Sequence, residues 1–364
     1  MSETVNNKFL ELARHLRQLT QKEAADMLGV SQGKLSKAEK GLQPLPLEII
    51  ERLPEVFNLP LGFFFQPTDS SQVGHYYYRK QMTIPAKVQD AIDAQIRVQK
   101  MAIDQMFDAV ELPEFDWNLM QPTDELPPKE IARRIRYSLG LHRGPIGNLT
   151  ILLEDHGIII QKMDFGTEKM DGLTSVTDRG HKVIFLNTRM PNDRTRFSLA
   201  HELGHLVMHL NFIPSNPATV EDEANEFASE FLMPENEVKP LLRSLTLPIL
   251  SKLKSQWGVS MRALIRRARD LHTIDDKIYR NFQILFSKKG YNKREPIALP
   301  FERCNLIHDV IELYRTELSY TEQDLSTIGN ISCEDFMHWF IHNNSPIFSF
   351  NPSFIGIKKN QYHE

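Results

Sequence analysis

The sequence is short of cysteine, with only Cys304 and Cys333 among 364 residues. Two cysteines this far along one chain build neither a disulfide framework nor a metal-binding motif. A run of about 18 apolar residues is also missing, so no membrane-spanning helix is predicted. The first residues are polar and carry both charges, unlike a signal peptide. We therefore expect a cytoplasmic protein without a membrane partner.

Neither sign of charge dominates, because 43 lysines and arginines stand against 47 aspartates and glutamates, a net charge of −4. A DNA-binding role would therefore need a local basic surface. Hydrophobic residues at 41% match ordinary globular proteins, which excludes a disordered chain. At roughly 100–200 residues per domain, the length predicts two or three domains.

The first 66 residues have the pattern of a helix-turn-helix, which places its second helix in the major groove of DNA. Gln21–Leu28 supplies the supporting helix, Gly29 the turn and Ser31–Lys40 the recognition helix. Thr20 and Ser31 are good N-cap residues for these two helices. Glutamine reads adenine edges, and lysine reaches guanine or phosphate. The side chains that we expect at the DNA are all polar: Gln21, Ser31, Gln32, Lys34, Ser36 and Lys37.

The stretch LTQKEAADMLGVSQGKLSKAEKG resembles the XRE (phage-repressor-like) family, and the resemblance covers about the first 65 residues. It implies binding to double-stranded operator or promoter DNA. Residues 1–66 hold eight basic and eight acidic residues, so non-specific attraction to DNA should be weak and a homodimer is expected. The alternative is a small helical domain that is used only for protein contacts.

A second motif, HExxH, spans His201 to His205 on a segment with helical periodicity. Residues four apart share a helix face, so both imidazoles can bind one Zn²⁺, and Glu202 is the general base for peptide hydrolysis. A catalytic zinc site needs a third protein ligand, and Glu221 in the next helix is the candidate. Asn225, one turn later, is placed to hydrogen-bond a ligand histidine. The motif alone is also compatible with a solvated helix face.

Three nearby polar residues were weighed as additional members of this site. Glu223 lies about 200° around the helix from Glu221 and is interpreted as a solvated charge. His209 follows His205 by one turn and is expected beside the site rather than on the metal. His181 precedes a strand-like run, and a surface position is favoured over stabilisation of an oxyanion.

The segments RFSLAHELGHLVMH and EDEANEFASEFLMP resemble the ImmA/IrrE family of metallo-endopeptidases. The resemblance implies His201, His205 and Glu221 as zinc ligands and Glu202 as general base. It also implies a protein substrate, a transcriptional repressor or antitoxin-like protein that is cut after stress or DNA damage, often in mobile elements. A known fused layout places the XRE domain in front. The alternative function is a transcription factor or antitoxin whose metal site is structural or sensory.

The expected fold is mainly α with a small sheet (α+β). We expect a helix-turn-helix domain over 1–66, a linker and helical connector over 67–124, a peptidase core over 125–240 and a helical C-terminal region over 241–364. A cluster of four arginines in that last region is interpreted as a solvated helix face: Arg262, Arg266, Arg267 and Arg269.

The strand-like run beside the motif carries a prediction of its own. Peptidases of the HExxH class commonly hold substrate as an added strand, through backbone hydrogen bonds. We therefore predict that this run is the edge of the sheet and binds the substrate backbone; the alternative is a core strand covered on both sides. Its residues are Val183, Ile184, Phe185, Leu186 and Asn187.

Overall fold

The computed structural model describes residues 5–67, 84–113, 117, 119–210, 216, 218–342 and 356–357. Helices predominate and a three-stranded sheet is present, as the sequence predicts for an α+β chain. Within the described residues, no helix is both long enough and apolar enough to cross a membrane. Residues 68–83, in the predicted connector, lie outside this part of the chain.

Short helices and one 3₁₀ turn build the N-terminal domain. They are α1 (Asn7–Leu16), α2 (Gln21–Leu28), α3 (Gln32–Glu39), α4 (Leu47–Ile50), α5 (Leu53–Phe57) and the turn Leu61–Phe65. Thr20 caps α2 in a capping box with Glu23, and Ser31 caps α3, so both predicted N-caps are confirmed. Gly29 ends α2 at a φ of +71°, a conformation that glycine adopts without strain.

The middle of the chain begins with one long helix and then alternates helices with strands. These elements are α6 (Ala86–Phe107), β1 (Val110–Glu111), α7 (Pro128–Ser138), α8 (Leu149–Glu154), β2 (Ile158–Met163), β3 (Gly172–Val176), β4 (Lys182–Asn187), α9 (Asn192–Met208) and α10 (Val220–Leu232). The remainder is helical apart from one short strand that pairs with β1. It comprises α11 (Glu235–Val238), α12 (Leu247–Trp257), α13 (Met261–Asp270), α14 (Asp276–Lys288), α15 (Leu306–Leu318), α16 (Glu322–Ile328), α17 (Cys333–Phe336), the π-helical Met337–His342 and β5 (Gly356–Ile357).

The sheet has the order β2-β4-β3, with β4 parallel to β2 and antiparallel to β3. The prediction that Val183–Asn187 is the sheet edge is therefore wrong, because β4 is hydrogen-bonded on both sides. Its apolar side chains are at most 2% exposed and alternate between two cores. An uninterrupted apolar run is the pattern of a strand that is covered on both faces. In the order β2-β4-β3, β3 is an outer strand of the sheet and β4 is the central one.

The two apolar cores lie on opposite faces of this sheet. One joins the N-terminal helices, α6 and the last helices to Val183 and Phe185. The other joins α7, α9, α10, α12 and α13 to Ile184 and Leu186. Of the predicted arginine cluster, Arg267 is buried against Glu230, so the interpretation as a solvated face fails at this residue. The other three arginines of the cluster are hydrogen-bonded at the surface.

A bidentate ion pair fastens the N-terminal domain to the C-terminal helices. Arg17, which caps the C-terminal end of α1, donates to both carboxyl oxygens of Asp335 on α17, at 2.9 and 2.5 Å. The same guanidinium donates to the carbonyls of Phe57 and Asn58 at the end of α5. The Asn58 amide also donates to Glu334 at 2.8 Å. The N-terminal domain is therefore docked through α1 and the end of α5.

Candidate metal centre

Two adjacent helices bring the predicted metal ligands together. α9 places His201 and His205 one turn apart, and their Nε2 atoms lie 2.9 Å from each other. Glu221, in the first turn of α10, places its carboxyl oxygens 3.4 Å from His201 Nε2 and 3.6 Å from His205 Nε2. These three side chains are a group that could hold a metal ion.

The donor set fits a zinc ion in both geometry and charge. Tetrahedral Zn²⁺ with bonds of about 2.0–2.1 Å places its ligand atoms about 3.3 Å apart, close to the separations observed. Burial lowers the pKa of His201, but the hydrogen bond with Glu221 and the charges of Glu202 and Glu221 outweigh it and raise that pKa. The charges of Glu202 and Glu221 therefore favour a positive charge at His201. Burial holds the pKa of His205 well below its usual range, which keeps its imidazole neutral.

Small residues allow α9 and α10 to approach closely. A Cβ built on Gly204 would lie 3.1 Å from Phe227 Cδ1 and 3.4 Å from Ala224 Cα. This close contact brings Glu221 within reach of the two histidines.

Glu202 lies on the sheet side of α9, where β3 contacts it. The Thr174 hydroxyl lies 2.8 Å from Glu202 Oε2 and 2.8 Å from the Glu202 carbonyl oxygen. A Cβ on Gly172 would lie 2.9 Å from Glu202 Cγ, so only glycine leaves room for this side chain. Burial raises the pKa of Glu202 to about 7, against the opposing effects of His201 and Thr174. Neither β3 residue is predicted from the sequence, where a short strand bearing glycine before the motif is the available signal.

The side chains that contact the candidate ligands include Asn225, as predicted, and also a histidine and a glutamate that pair with each other. Asn225 Oδ1 lies 3.2 Å from His201 Nδ1, the contact that the helix spacing predicts. His209 is buried and its Nδ1 lies 3.0 Å from His205 Nδ1. Glu223 is not a solvated charge, since Oε2 lies 2.9 Å from His209 Nε2 and its side chain is 26% exposed.

His181 directly precedes β4, at the opposite end of that strand from the candidate metal site. Its Nε2 is 3.9 Å from Asp104 on α6, and its ring packs near Phe107. The next residue, Lys182, pairs with Val176, whereas Glu202 touches β3 at Gly172 and Thr174, four and two residues along the strand. These steps correspond to about 13 and 7 Å. The contacts of His181 with α6 favour the predicted position away from the candidate metal ligands over a role at an oxyanion.

The predicted DNA-contact residues divide into exposed and engaged side chains. Ser31, Gln32 and Lys37 are exposed, while Lys34 and Ser36 are partly buried. Gln21 donates to Glu39 Oε2 at 2.7 Å. Arg14 forms a bidentate pair with the same carboxylate, at 2.6 and 3.1 Å, and was missed because it links α1 to α3 across 25 residues. These contacts of Glu39 hold the recognition helix α3 against α1 and α2.

Two segments of the chain match known families. Residues 10–64 match the helix-turn-helix family model. Residues 153–269 match the model of the IrrE N-terminal-like domain, a peptidase family, and these residues include α9 and α10, which carry the candidate metal ligands. The two matches lie in the order of the proposed fusion, with the helix-turn-helix segment in front of the IrrE-like segment. A search of curated proteins gave no match. The helix-turn-helix domain indicates DNA-binding regulation, and the IrrE-like domain indicates a metallopeptidase-type activity.

Proposed function

We propose that this IrrE-like fusion is a zinc-dependent endopeptidase that its helix-turn-helix domain directs to DNA in the cytoplasm. The observation that carries the proposal is the convergence of His201, His205 and Glu221 beside the buried carboxyl of Glu202. The substrate that we infer is a transcriptional repressor or antitoxin-like protein, cut in a stress, DNA-damage or mobile-element response. This inference rests on the family resemblance, which pairs the same two domains.

In this proposal each side chain has a separate task. The two histidines and Glu221 would hold Zn²⁺, which lowers the pKa of water and polarises the scissile carbonyl. Glu202 accepts the proton that water loses and returns it to the leaving amine. The Thr174 hydroxyl holds the Glu202 side chain in place for both transfers. Asn225 orients the His201 ring from its Nδ1 side.

The DNA-binding half of the proposal depends on a small number of lysines. All three arginines of residues 1–66 make internal contacts: Arg14 with Glu39, Arg17 with Asp335, and Arg52 with carbonyls at the end of α2. Five lysines remain for phosphates in that segment. Since each neutralised phosphate contributes separately to affinity, we infer that two copies bind one operator as a homodimer.

Two measurements test the peptidase. The purified chain should contain about one zinc per chain, and a His201→Ala/His205→Ala double variant should contain none. Glu202→Gln should keep the zinc, because it changes no ligand. Newly formed protein N-termini should accumulate in cells that express the wild type, but not in cells that express Glu202→Gln. Equal sets of N-termini in both would refute an endopeptidase.

A second candidate function is favoured by the exposed face of α3. In that case the chain regulates by binding DNA, and its metal site is structural or sensory. Glu202→Gln separates the two functions, since it removes the base but leaves α3 unchanged. If the variant binds DNA and regulates its target genes as the wild type does, regulation does not need proteolysis.

A further inference from the structure

His205 contacts a third histidine on the side of its ring that faces away from the other two candidate ligands. Its Nδ1 lies 3.0 Å from His209 Nδ1. His209 Nε2 lies 2.9 Å from Glu223 Oε2, and the Thr219 hydroxyl lies 2.7 Å from Glu223 Oε1. The side chains of His205 and His209 are each only 3% exposed, so bulk water hardly competes for these contacts.

One arrangement of protons satisfies every contact in this row of side chains. When His205 Nε2 gives its lone pair to a metal, its proton is on Nδ1 and donates to His209 Nδ1. His209 then carries its own proton on Nε2 and donates it to the Glu223 carboxylate. The Thr219 hydroxyl donates to the other oxygen of that carboxylate. Each donor therefore meets an acceptor, and the row ends in a negative charge.

We propose that His209 and Glu223 are positioning residues that fix the ring orientation and tautomer of His205 for zinc binding. The inference rests on the proposed zinc site and goes beyond it, because neither residue touches the metal. A carboxylate at the end of such a row makes the ligand histidine more basic. Loss of these outer partners typically weakens metal binding by about 10- to 100-fold.

The test is the zinc affinity of the full chain, measured by competition with a chromogenic chelator at constant pH. His209→Phe removes the acceptor but keeps a ring, and should weaken binding by about 10- to 100-fold. His209→Asn places an oxygen acceptor near the position of Nδ1 and should recover part of that loss. A purely structural role predicts the reverse order, because phenylalanine fills the buried space better than asparagine.

Glu223 has a matched control in its neighbour Asp222, an exposed carboxylate that is one residue away on α10. Glu223→Gln should weaken zinc binding by about tenfold, whereas Asp222→Asn removes the same charge without touching His209 and should leave the affinity unchanged. Equal losses in both variants would show a general charge effect and overturn the proposal.

The remaining outcomes are distinguishable from failure of the proposed function. A wild-type chain that binds no zinc would refute the zinc peptidase itself. A wild type that binds zinc, with equal affinity in both His209 variants, would overturn only the role of His209. If His209→Phe does not fold, as seen by circular dichroism, His209→Asn and the Glu223 pair still decide the question.

Discussion

Gly172 on β3 faces the carboxyl that we propose as the general base, and a methyl group added there would displace it. A Cβ at this position would lie 2.9 Å from Glu202 Cγ, 3.1 Å from the Phe185 carbonyl oxygen and 3.3 Å from Glu202 Oε1. Carbon atoms in contact stay about 3.5–4.0 Å apart. Gly172→Ala therefore requires Glu202 or β3 to move by about 0.6–1 Å.

The size of the effect follows from this displacement. Misplacing a catalytic group by about 1 Å costs up to about 100-fold in rate, within the roughly 10²- to 10⁴-fold that a general base contributes. We expect Gly172→Ala to cleave about 10- to 100-fold more slowly. Overpacking should cost about 1–3 kcal/mol of stability, offset in part by up to about 1 kcal/mol for replacing glycine in a strand. The atoms nearest to the new methyl group belong to Glu202 and Phe185 and not to the candidate zinc ligands, so zinc content should not change.

The assay is single-turnover cleavage of the protein that the mapping of new N-termini identifies. Gly147→Ala is the control, because a Cβ on Gly147 would meet no atom within 4 Å. The control should match the wild type in zinc content, stability and rate. A folded, zinc-loaded Gly172→Ala that cleaves as fast as the control would refute the placement of Glu202 against β3 as a requirement for catalysis.

Arg17→Ala and Asp335→Asn, made singly and together, should give a coupling energy of about 1–3 kcal/mol in urea unfolding, because the pair is bidentate and mostly buried. Additive losses would contradict a direct interaction. Gly204→Ala should lower the melting temperature, since its Cβ would press on α10, whereas Gly33→Ala on α3 meets open space and should raise it. Burial raises the pKa of Glu154 to about 8, so the stability that this group contributes is complete below pH 4.5 and is lost as the pH rises toward 8. Denaturant unfolding between pH 5 and 8 should therefore show a smaller decline for Glu154→Gln than for the wild type.

Local patterns in the sequence were sufficient to predict the two helices that carry the candidate metal ligands. The spacing of His201 and His205 requires only a helix, and the structure has one over Asn192–Met208. Glu221 was the candidate third ligand because it lies in the next predicted helix, and that segment is helical from Val220. Both inferences use contacts within one helix or between consecutive helices, where periodicity decides which side chains share a face.

Contacts between distant segments were the ones that the sequence analysis missed. Thr174 and Gly172 meet Glu202 across about 28–30 residues, and nothing in the local pattern of β3 pairs them with α9. Glu223 was excluded as a metal ligand because of its angle around α10. That same angle directs its carboxylate to His209, so its distance from the metal did not make it a solvated charge. Periodicity gives a direction for a side chain but not the identity of its neighbour.

The mistaken edge strand shows how the two halves of the molecule are joined. Val183 and Phe185 pack with the core that contains the N-terminal helices, whereas Ile184 and Leu186 pack with the core behind the metal helices. A strand with both faces covered by apolar side chains has no solvent-facing residues, which is why the run shows no polar alternation. Since β4 belongs to both cores, the core that includes the N-terminal helices, α6 and the last helices and the core that includes α9 lie on opposite faces of one sheet. A change that displaces β4 would consequently disturb both, whereas the exposed side chains of α3 and the contacts of Glu223 can be altered separately.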